Sequence, residues 1–258
     1  FRLHESVVFR SLAQLVTGTG GLEVHRFVLH CLNAAPDLLL PFLRIFGIGN
    51  PNDGFSFLSN LNFLSKLMRQ GPVPIIFRGS TMLEAEDVGL QVFPLKKQAL
   101  IKAFQSPNGM VLSQSIHFTI SGLKRFFNLR SRVPDDLVSG VETFLAGQMP
   151  EMTVLVKILN RLQAEDVRRN SYLICCLCEL LLEMSQVIPG FLNGSKLDPV
   201  KILPKDAPTF GELSTFAQWK MLRTFRVINE RIMTDVKPNI PQVLRLILEV
   251  TVSTKNKF

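Results

Sequence analysis

The stretch SYLICCLCELLLEMSQVIPGFL, residues 171–192, is the densest apolar segment of the chain and limits the possible fold classes. Its charge-free core covers only residues 171–178, because Glu179 and Glu183 interrupt the run. A membrane-spanning helix needs about 20 mostly apolar residues. The apolar side chains instead recur at the three- and four-residue steps of a helix face: Leu173, Ile174, Leu177, Leu180, Leu181 and Met184. We therefore predict a buried helix, not a membrane span.

Three of the four cysteines lie in this segment, which raises the alternative of a metal site. Cys175 and Cys178 share one face of the predicted helix, and Cys176 faces away. A structural zinc site usually shows paired Cys or His spacings. No histidine is close in sequence: the four are His4, His25, His30 and His117. Because unligated cysteine is often buried, we predict core packing and no metal. Neighbours on one helix cannot form a disulfide, so we expect a reducing compartment.

Composition and charge describe a folded, basic chain. It has 258 residues, 47% of them hydrophobic and 19% charged, which excludes wholesale disorder. The net charge is +8 and the pI about 9.6, which suits contact with nucleic acid, acidic proteins or an anionic membrane. Charges within the opening FRLHESVVFR predict that it is not a signal peptide. From the first residue, Phe, and the ending STKNKF, we expect a piece of a longer protein.

Repeated helical periodicity predicts an all-α fold. The pattern indicates about eleven helices, among them 135–147, 151–165 and 170–188, and no convincing strand alternation. Residues 70–93 break the rhythm and are predicted as a long connection, in which Glu84, Glu86 and Asp87 form a solvated turn. We favour an armadillo/HEAT-like helical-repeat solenoid, and an irregular helical bundle is the alternative.

Domain organisation follows from one proline-broken segment. KLDPVKILPKDAP, residues 196–208, carries three prolines and is the best candidate for an internal linker. We therefore predict a helical-repeat region over 1–195, a linker over 196–208, and further helices of the same array over 209–258.

Two groups of basic residues are candidate RNA contacts, because phosphate neutralisation by Lys and Arg gives salt-dependent binding. The first lies in GLKRFFNLRSR; the second lies along a predicted helix with Trp219 and also includes Arg231. The alternative is that they are solvated helix ends, where cations are also favoured. We predict that the phenylalanines are core residues and not base-stacking platforms. The predicted RNA-binding residues are Lys124, Arg125, Arg130, Arg132, Lys220, Arg223 and Arg226.

Enzymatic signatures are weak. The glycine cluster GTGG, residues 18–21, lacks the third glycine of a dinucleotide loop and follows a predicted helix instead of a strand. The histidines His25 and His30 are five apart and face different directions on a helix. We therefore expect a non-enzyme with no catalytic residues, no cofactor and no small-molecule substrate.

Two segments carry features more specific than helical periodicity. The first, GFSFLSNLNFLSKLMRQGPVP, covers 54–74; the second, FPLKKQALIKAFQSPNGMVLSQSIHFTISGLKRFF, covers 93–127. Together they resemble the N-terminal domain of the nucleolar pre-ribosomal-associated protein 1 family. In that family an aromatic-Leu-x-Asn core and a closing Pro-x-Pro precede a Pro-led helix and a long apolar one. Here the matching positions are Phe57-Leu58-Ser59-Asn60, Pro72-Val73-Pro74 and Pro94, although the family commonly has Trp where this chain has Phe57.

The resemblance implies a very long helical-repeat scaffold in the nucleolus, within the nucleus. Such proteins act in ribosome biogenesis and rRNA processing, during early assembly of the large ribosomal subunit. The expected partners are pre-ribosomal RNA and ribosome assembly factors, including an RNA helicase, with no membrane. The resemblance carries no catalytic motif, so it implies no active site. The alternative is an armadillo/HEAT-type adaptor or transport receptor that binds only proteins.

Overall fold

The computed structural model describes residues 2–17, 21–78, 81–188, 190, 192 and 198–232. These residues form twelve α-helices and one short antiparallel ladder, in which β1 (Phe77–Arg78) pairs with β2 (Thr81–Met82). The all-α prediction is confirmed. The chain divides into two compact units, Phe1–Met149 and Pro150–Phe258.

The first unit contains eight of the helices, the β ladder and a 3-10 helix at Pro36–Leu38. Its helices are α1 (Arg2–Thr17), α2 (Leu22–Ala34), α3 (Leu39–Ile45), α4 (Gly54–Gln70), α5 (Ala85–Val92), α6 (Lys97–Gln105), α7 (Gly109–Arg130) and α8 (Asp135–Gln148).

The helix α5 corrects one sequence-based prediction. Residues 70–93 were expected to be a connection throughout, but 85–92 form two turns of helix. The helix is too short to show a repeating apolar pattern. The three acidic residues belong to the start of this helix and do not form a separate turn. Glu84 is the N-cap residue, and Glu86 and Asp87 lie in the first turn, where negative charge suits the helix dipole.

The core of the first unit is rich in phenylalanine, as predicted. The largest fully buried side chains include Phe42, Phe57, Phe63, Phe93, Phe104, Phe118 and Phe126. The rings of Phe93 and Phe118 lie 5.3 Å apart between centroids, which joins the segment before α6 to the middle of α7. Aromatic pairs at this distance add to the free energy of burial.

Two pairs of helices in this unit run parallel. At one end of the α4–α7 pair, Gly54 begins α4 close to Asn108, the N-cap residue of α7. At the other end, the guanidinium of Arg125 reaches the carbonyl of Leu67. The α5–α8 pair is aligned in the same sense, because Ala85 faces Gly140 and the residue one turn later, Gly89, faces Phe144.

The segment between α4 and α5 is held by one buried amide. The side chain of Gln91 accepts a hydrogen bond from the backbone N–H of Ile75 at 2.9 Å and donates to the Ile75 carbonyl at 3.1 Å. The backbone N–H and carbonyl of Ile75 thereby both have a hydrogen-bond partner away from water. Ile75, near the middle of the connection, is therefore fixed against the last turn of α5.

The described part of the second unit contains four helices and a 3-10 helix at Pro199–Ile202. The helices are α9 (Met152–Glu165), α10 (Val167–Val187), α11 (Ala207–Glu212) and α12 (Thr215–Ile232). Residues 171–187 of the dense apolar segment lie in α10. Of its predicted inward residues, Ile174, Leu177, Leu180, Leu181 and Met184 are buried, and Leu173 is half-buried. The prediction of a buried helix is confirmed.

The helices α10 and α12 also run parallel. The hydroxyl of Ser171 lies 3.3 Å from that of Ser214 before α12 begins, and Thr224 donates to the carbonyl of Cys178 at 3.0 Å further along. Cys175, Cys176 and Cys178 are buried thiols, so Cys176 packs inside although it was expected to face away. Burial raises the pKa of all three thiols.

The predicted linker lies partly within the described residues. From 198 onward it contains the 3-10 helix, which the side chain of Asp198 caps by accepting from the N–H of Val200. Its last residues begin α11, where Asp206 caps the helix by accepting from the N–H of Thr209. Of the further helices predicted over 209–258, any part beyond residue 232 lies outside the described residues.

Close packing of α5 on α8 makes a matched test of helix spacing. A Cβ atom added at Gly140 falls 2.6 Å from the Cβ of Ala85, so the two backbones have to move apart. We expect Gly140→Ala to lower the free energy of unfolding by about 1–3 kcal/mol, measured by urea denaturation. A Cβ at Gly147, in the same helix, meets nothing within 4 Å. Gly147→Ala should raise stability by about 0.5–1 kcal/mol, through helix propensity alone. Equal effects at both positions would contradict this packing.

Candidate nucleic-acid interface

A basic groove of about 470 Å³ lies in the first unit, where the end of α4 meets the last turns of α7. Four of its lining residues are cations: Arg69, Lys124, Arg125 and Arg132. None of the described residues that line it is acidic. The groove is therefore a concentrated region of positive charge in a concave surface, which is the arrangement that attracts polyanions.

The spacing along α7 explains why its basic residues meet there. Residues three, four or seven apart lie on one side of a helix. Ser121, Lys124, Arg125 and Asn128 follow that spacing and all line the groove. Arg132 extends the row just beyond the helix end. The final turn of a helix also carries partial negative charge, which stabilises Arg132 just beyond the end of α7.

Arg125 has a structural role within the groove. Its guanidinium donates to the carbonyls of Leu67 at 3.0 Å and Met68 at 2.6 Å, and also to the carbonyl of Pro72. The first two carbonyls belong to the last turn of α4. That of Leu67 also accepts from the backbone N–H of Gly71 at 2.8 Å, whereas that of Met68 lies where a helix end supplies no intrahelical partner. Burial lowers the pKa of Arg125 to about 10. Its charge contributes to the field of the groove, but these donors are committed to the protein backbone.

Arg130 points away from the groove. It forms an ion pair with Glu142 of α8, 3.1 Å from nitrogen to oxygen. With Phe127, Asn128, Ser131 and Arg132 it lines a shallower depression of about 570 Å³. Three of the four residues predicted in the first group thus share the groove, and the fourth lies on a neighbouring surface.

Arg69 is the groove residue that the sequence analysis missed. It is exposed and lies in the last turn of α4, far from α7 in sequence but adjacent to it in space. The available signal was a basic residue at a predicted helix end, close to the Pro-x-Pro at 72–74. That signal could not show which other helix end would lie beside it.

The second predicted group, in the other unit, is divided among several interactions. Lys220 pairs with Glu179 at 3.4 Å, and Arg226 pairs with Glu230 at 2.7 Å. Arg231 donates to the backbone carbonyl of Ser185. Only Arg223 of this group has its guanidinium over an aromatic ring, that of Trp219. These residues lie along one helix but do not form one uniform basic surface.

A second concavity of the first unit holds a buried histidine. His25 and Lys66 help to line this space of about 460 Å³, together with hydroxyl and amide side chains of α4. The Nε2 atom of His25 is buried and has no hydrogen-bond partner among the described residues. Burial, and to a smaller extent the charge of Lys66, lowers the pKa of the imidazole.

No single described helix is long and apolar enough to cross a membrane, although the bent pair Leu22–Ala34 and Pro36–Ile45 meets the length and composition criteria together. Within the described ranges, no group of three or more His, Cys, Asp or Glu side chains is arranged to hold a metal ion.

The fold and the groove define an all-α protein with a concave basic surface. Comparison with protein-family models, with curated proteins and with solved structures finds no match for this chain. The resemblance to the nucleolar family stays a prediction.

The hydrogen bonds of Arg125 predict a stability effect. Arg125→Met keeps most of the aliphatic stem but removes the guanidinium donor from the carbonyls of Met68 and Pro72, and leaves that of Leu67 only the N–H of Gly71. We expect a loss of about 1–3 kcal/mol in the free energy of unfolding, measured by chemical denaturation. The control is Lys102→Met on α6, an exposed position where the change should be within about 0.5 kcal/mol. If both variants are equally stable, the Arg125 bonds make no net contribution.

The lowered pKa of His25 predicts a pH dependence. The unfolded chain binds a proton at the ordinary histidine pKa of 6.5, whereas the folded chain binds it only at lower pH. The free energy of unfolding should therefore fall between about pH 7.5 and about pH 5.5, by at most about 1.4 kcal/mol per pH unit from this group. His25→Gln should make that slope shallower in denaturation measured across the range. The matched control is His30→Gln, an exposed position on the same helix. A steeper slope in His25→Gln would show the opposite sign.

Proposed function

We propose that this chain is a non-enzymatic helical scaffold that binds RNA during early assembly of the large ribosomal subunit. The observation that carries the RNA part of the proposal is the groove with four cations and no acidic lining residue. The cellular setting comes from the resemblance of residues 54–74 and 93–127 to the nucleolar family. The proposal assigns nucleolar localisation, with ribosome assembly factors, including an RNA helicase, as further partners.

The groove suits a phosphate backbone because three of its four cations are exposed. The guanidinium of Arg125 is held by backbone carbonyls and supplies a fixed positive charge. Arg69, Lys124 and Arg132 are exposed at the rim and can approach phosphate oxygens. Neutralising phosphates releases counterions from the nucleic acid, which drives binding and makes it sensitive to salt. We propose that these three side chains make the phosphate contacts.

A helical-repeat array is the architecture that we propose for the scaffold. In a solenoid, equivalent helices of successive repeats run in the same direction because each repeat stacks on the one before it. The parallel pairs within the first unit, α4 with α7 and α5 with α8, support such stacking, as does the pair α10 and α12 within the second. The irregular bundle remains the alternative.

One observation favours the second candidate function, a protein-binding adaptor. Leu22 and Phe55 are exposed at the edge of the concavity that holds His25. Exposed apolar side chains beside a concave surface are typical of sites for partner proteins. A chain that binds peptides there and is indifferent to RNA would be an adaptor.

The test of RNA binding uses the full 258-residue chain and a fluorescent single-stranded RNA titrated at several salt concentrations. The triple variant Arg69→Gln, Lys124→Gln, Arg132→Gln removes the three rim charges and leaves Arg125 in place. If each cation neutralises one phosphate, the slope of log affinity against log salt should become shallower by about 2. Affinity at low salt should fall at least about tenfold.

The matched control removes the same charge elsewhere, by Arg26→Gln, Lys102→Gln and Lys157→Gln, all exposed positions outside the groove. This variant should keep most of the affinity. Equal losses in the two triple variants would mean that net charge, not the groove, binds RNA. Absence of RNA binding by the unaltered chain would overturn the proposal and leave the adaptor as the better account.

A further inference from the structure

Two aromatic side chains of α12 are exposed to solvent. Phe216 and Trp219 are 60% and 50% exposed, and their rings lie 6.0 Å apart between centroids with an interplanar angle of 25°. Neither belongs to the core, since the buried face of α12 is formed by other residues: Ala217, Met221, Thr224, Phe225 and Ile228. The sequence-based expectation that the phenylalanines are core residues does not hold for Phe216, nor for Phe27, Phe55 and Phe127, which are also exposed.

Basic side chains lie against both rings. The Nζ atom of Lys220 is 5.7 Å from the Phe216 centroid and 5.9 Å from that of Trp219. The guanidinium carbon of Arg223 is 5.3 Å from the Trp219 centroid. These distances are within the range of cation–π attraction. Because the four residues are spaced by three and four, they form one continuous stripe along the helix.

The positive charge of this stripe is only partly neutralised. Lys220 has Glu179 of α10 as its ion-pair partner. Arg223 is exposed and forms no ion pair with any acidic residue that the structure describes. The stripe thus offers flat aromatic surface and an available guanidinium side by side.

We propose that this aromatic–basic stripe, Phe216, Trp219, Lys220 and Arg223, stacks unpaired bases of a single-stranded nucleic acid. A base has a flat π face that extends the existing Phe216–Trp219 stack, and every base has one, so the site is tolerant of sequence. The adjoining phosphate is placed beside Arg223, whose guanidinium can leave the Trp219 ring to bind it. This inference rests on the proposed RNA function and deepens it, because it selects single strands over duplex.

Charge complementarity favours a nucleic acid over a peptide as the occupant. A purely apolar partner would leave Arg223 without a counter-charge at a desolvated surface, which is unfavourable. An oligonucleotide supplies both requirements of the stripe at each step along its chain, a base for the rings and a phosphate for the cation. Docking of an acidic peptide is the competing outcome of the test.

The chain contains one tryptophan, so Trp219 itself reports on the site. The experiment measures tryptophan fluorescence of the full chain, excited where the single tyrosine does not absorb. The probes are oligouridine, oligoadenosine, an abasic ribose-phosphate oligomer of equal length, a short RNA duplex and an acidic peptide. We expect quenching by the two single-stranded oligomers and little change with the abasic oligomer or the duplex. Quenching by the acidic peptide alone would overturn the proposal in favour of a protein-docking site.

Variants then measure the effect on affinity with labelled oligonucleotides. Trp219→Ala should weaken binding of oligoadenosine about 5- to 100-fold and leave that of the abasic oligomer unchanged. Trp219→Phe, which keeps an aromatic ring, should retain most of the affinity. The control is Phe27→Ala, an exposed aromatic of α2 in the first unit, which should have no effect. Equal losses for the abasic and base-bearing oligomers on Trp219→Ala would show that stacking is not the cause.

The groove variant separates this inference from the proposed function. If the Arg69, Lys124, Arg132 triple variant loses RNA affinity while Trp219→Ala keeps it, RNA binding stands and the stacking inference fails. If Trp219→Ala lowers affinity for single strands and the groove variant does not, the stripe stands and the groove assignment fails. If the unaltered chain binds no oligonucleotide at all, both fail.

Discussion

The hydrogen bonds from the Arg125 guanidinium to the end of α4 are the interaction on which the first unit most depends. The guanidinium joins three carbonyls that belong to the end of α4 and to the chain that leaves it, and it does so from the penultimate turn of α7. A helix end buried without partners for its carbonyls is costly, and a neutral side chain offers fewer donors in so fixed a geometry. The same contact sets how closely the two helices approach at that end. Arg125 also lines the groove, so one side chain contributes both to the fold and to the candidate site.

Helix content was predictable because each long helix carries its own apolar periodicity. The pattern in residues 170–188 placed the buried helix within three residues of α10 at its start and one at its end. The same reasoning failed at α5, since eight residues do not show a repeating pattern and the tertiary environment supplies the stabilisation. Its close neighbour α8 accommodates it through a glycine at 140. The sequence of one helix does not show which other helix packs against it.

The candidate site was likewise predictable from sequence only in part. Lys124, Arg125 and Arg132 were predictable as a group because local helical spacing brings them together. Their separate roles were not, since Arg125 turns inward only because α4 ends beside it. Arg69 joins them by a contact between distant parts of the chain, which a single sequence does not encode in any local pattern. In α12 the charges were found from sequence, but the exposure of Phe216 and Trp219 was not, because aromatic residues at helical spacing are usually core residues.

The buried cysteines of α10 have a consequence for the chemistry of the chain. The thiolate is the form that reacts with oxidants and alkylating reagents, and burial raises the pKa of these thiols and shields them from contact. Cys31, which is half-buried at the end of α2, is the more accessible thiol of the four. Modification at α10 therefore requires that helix to open, and the added atoms then prevent its core from closing again. Oxidative damage at these positions is thus coupled to unfolding. The thiols of a molecule that stays folded are protected from oxidation, and a molecule that opens under oxidising conditions is trapped in the open state.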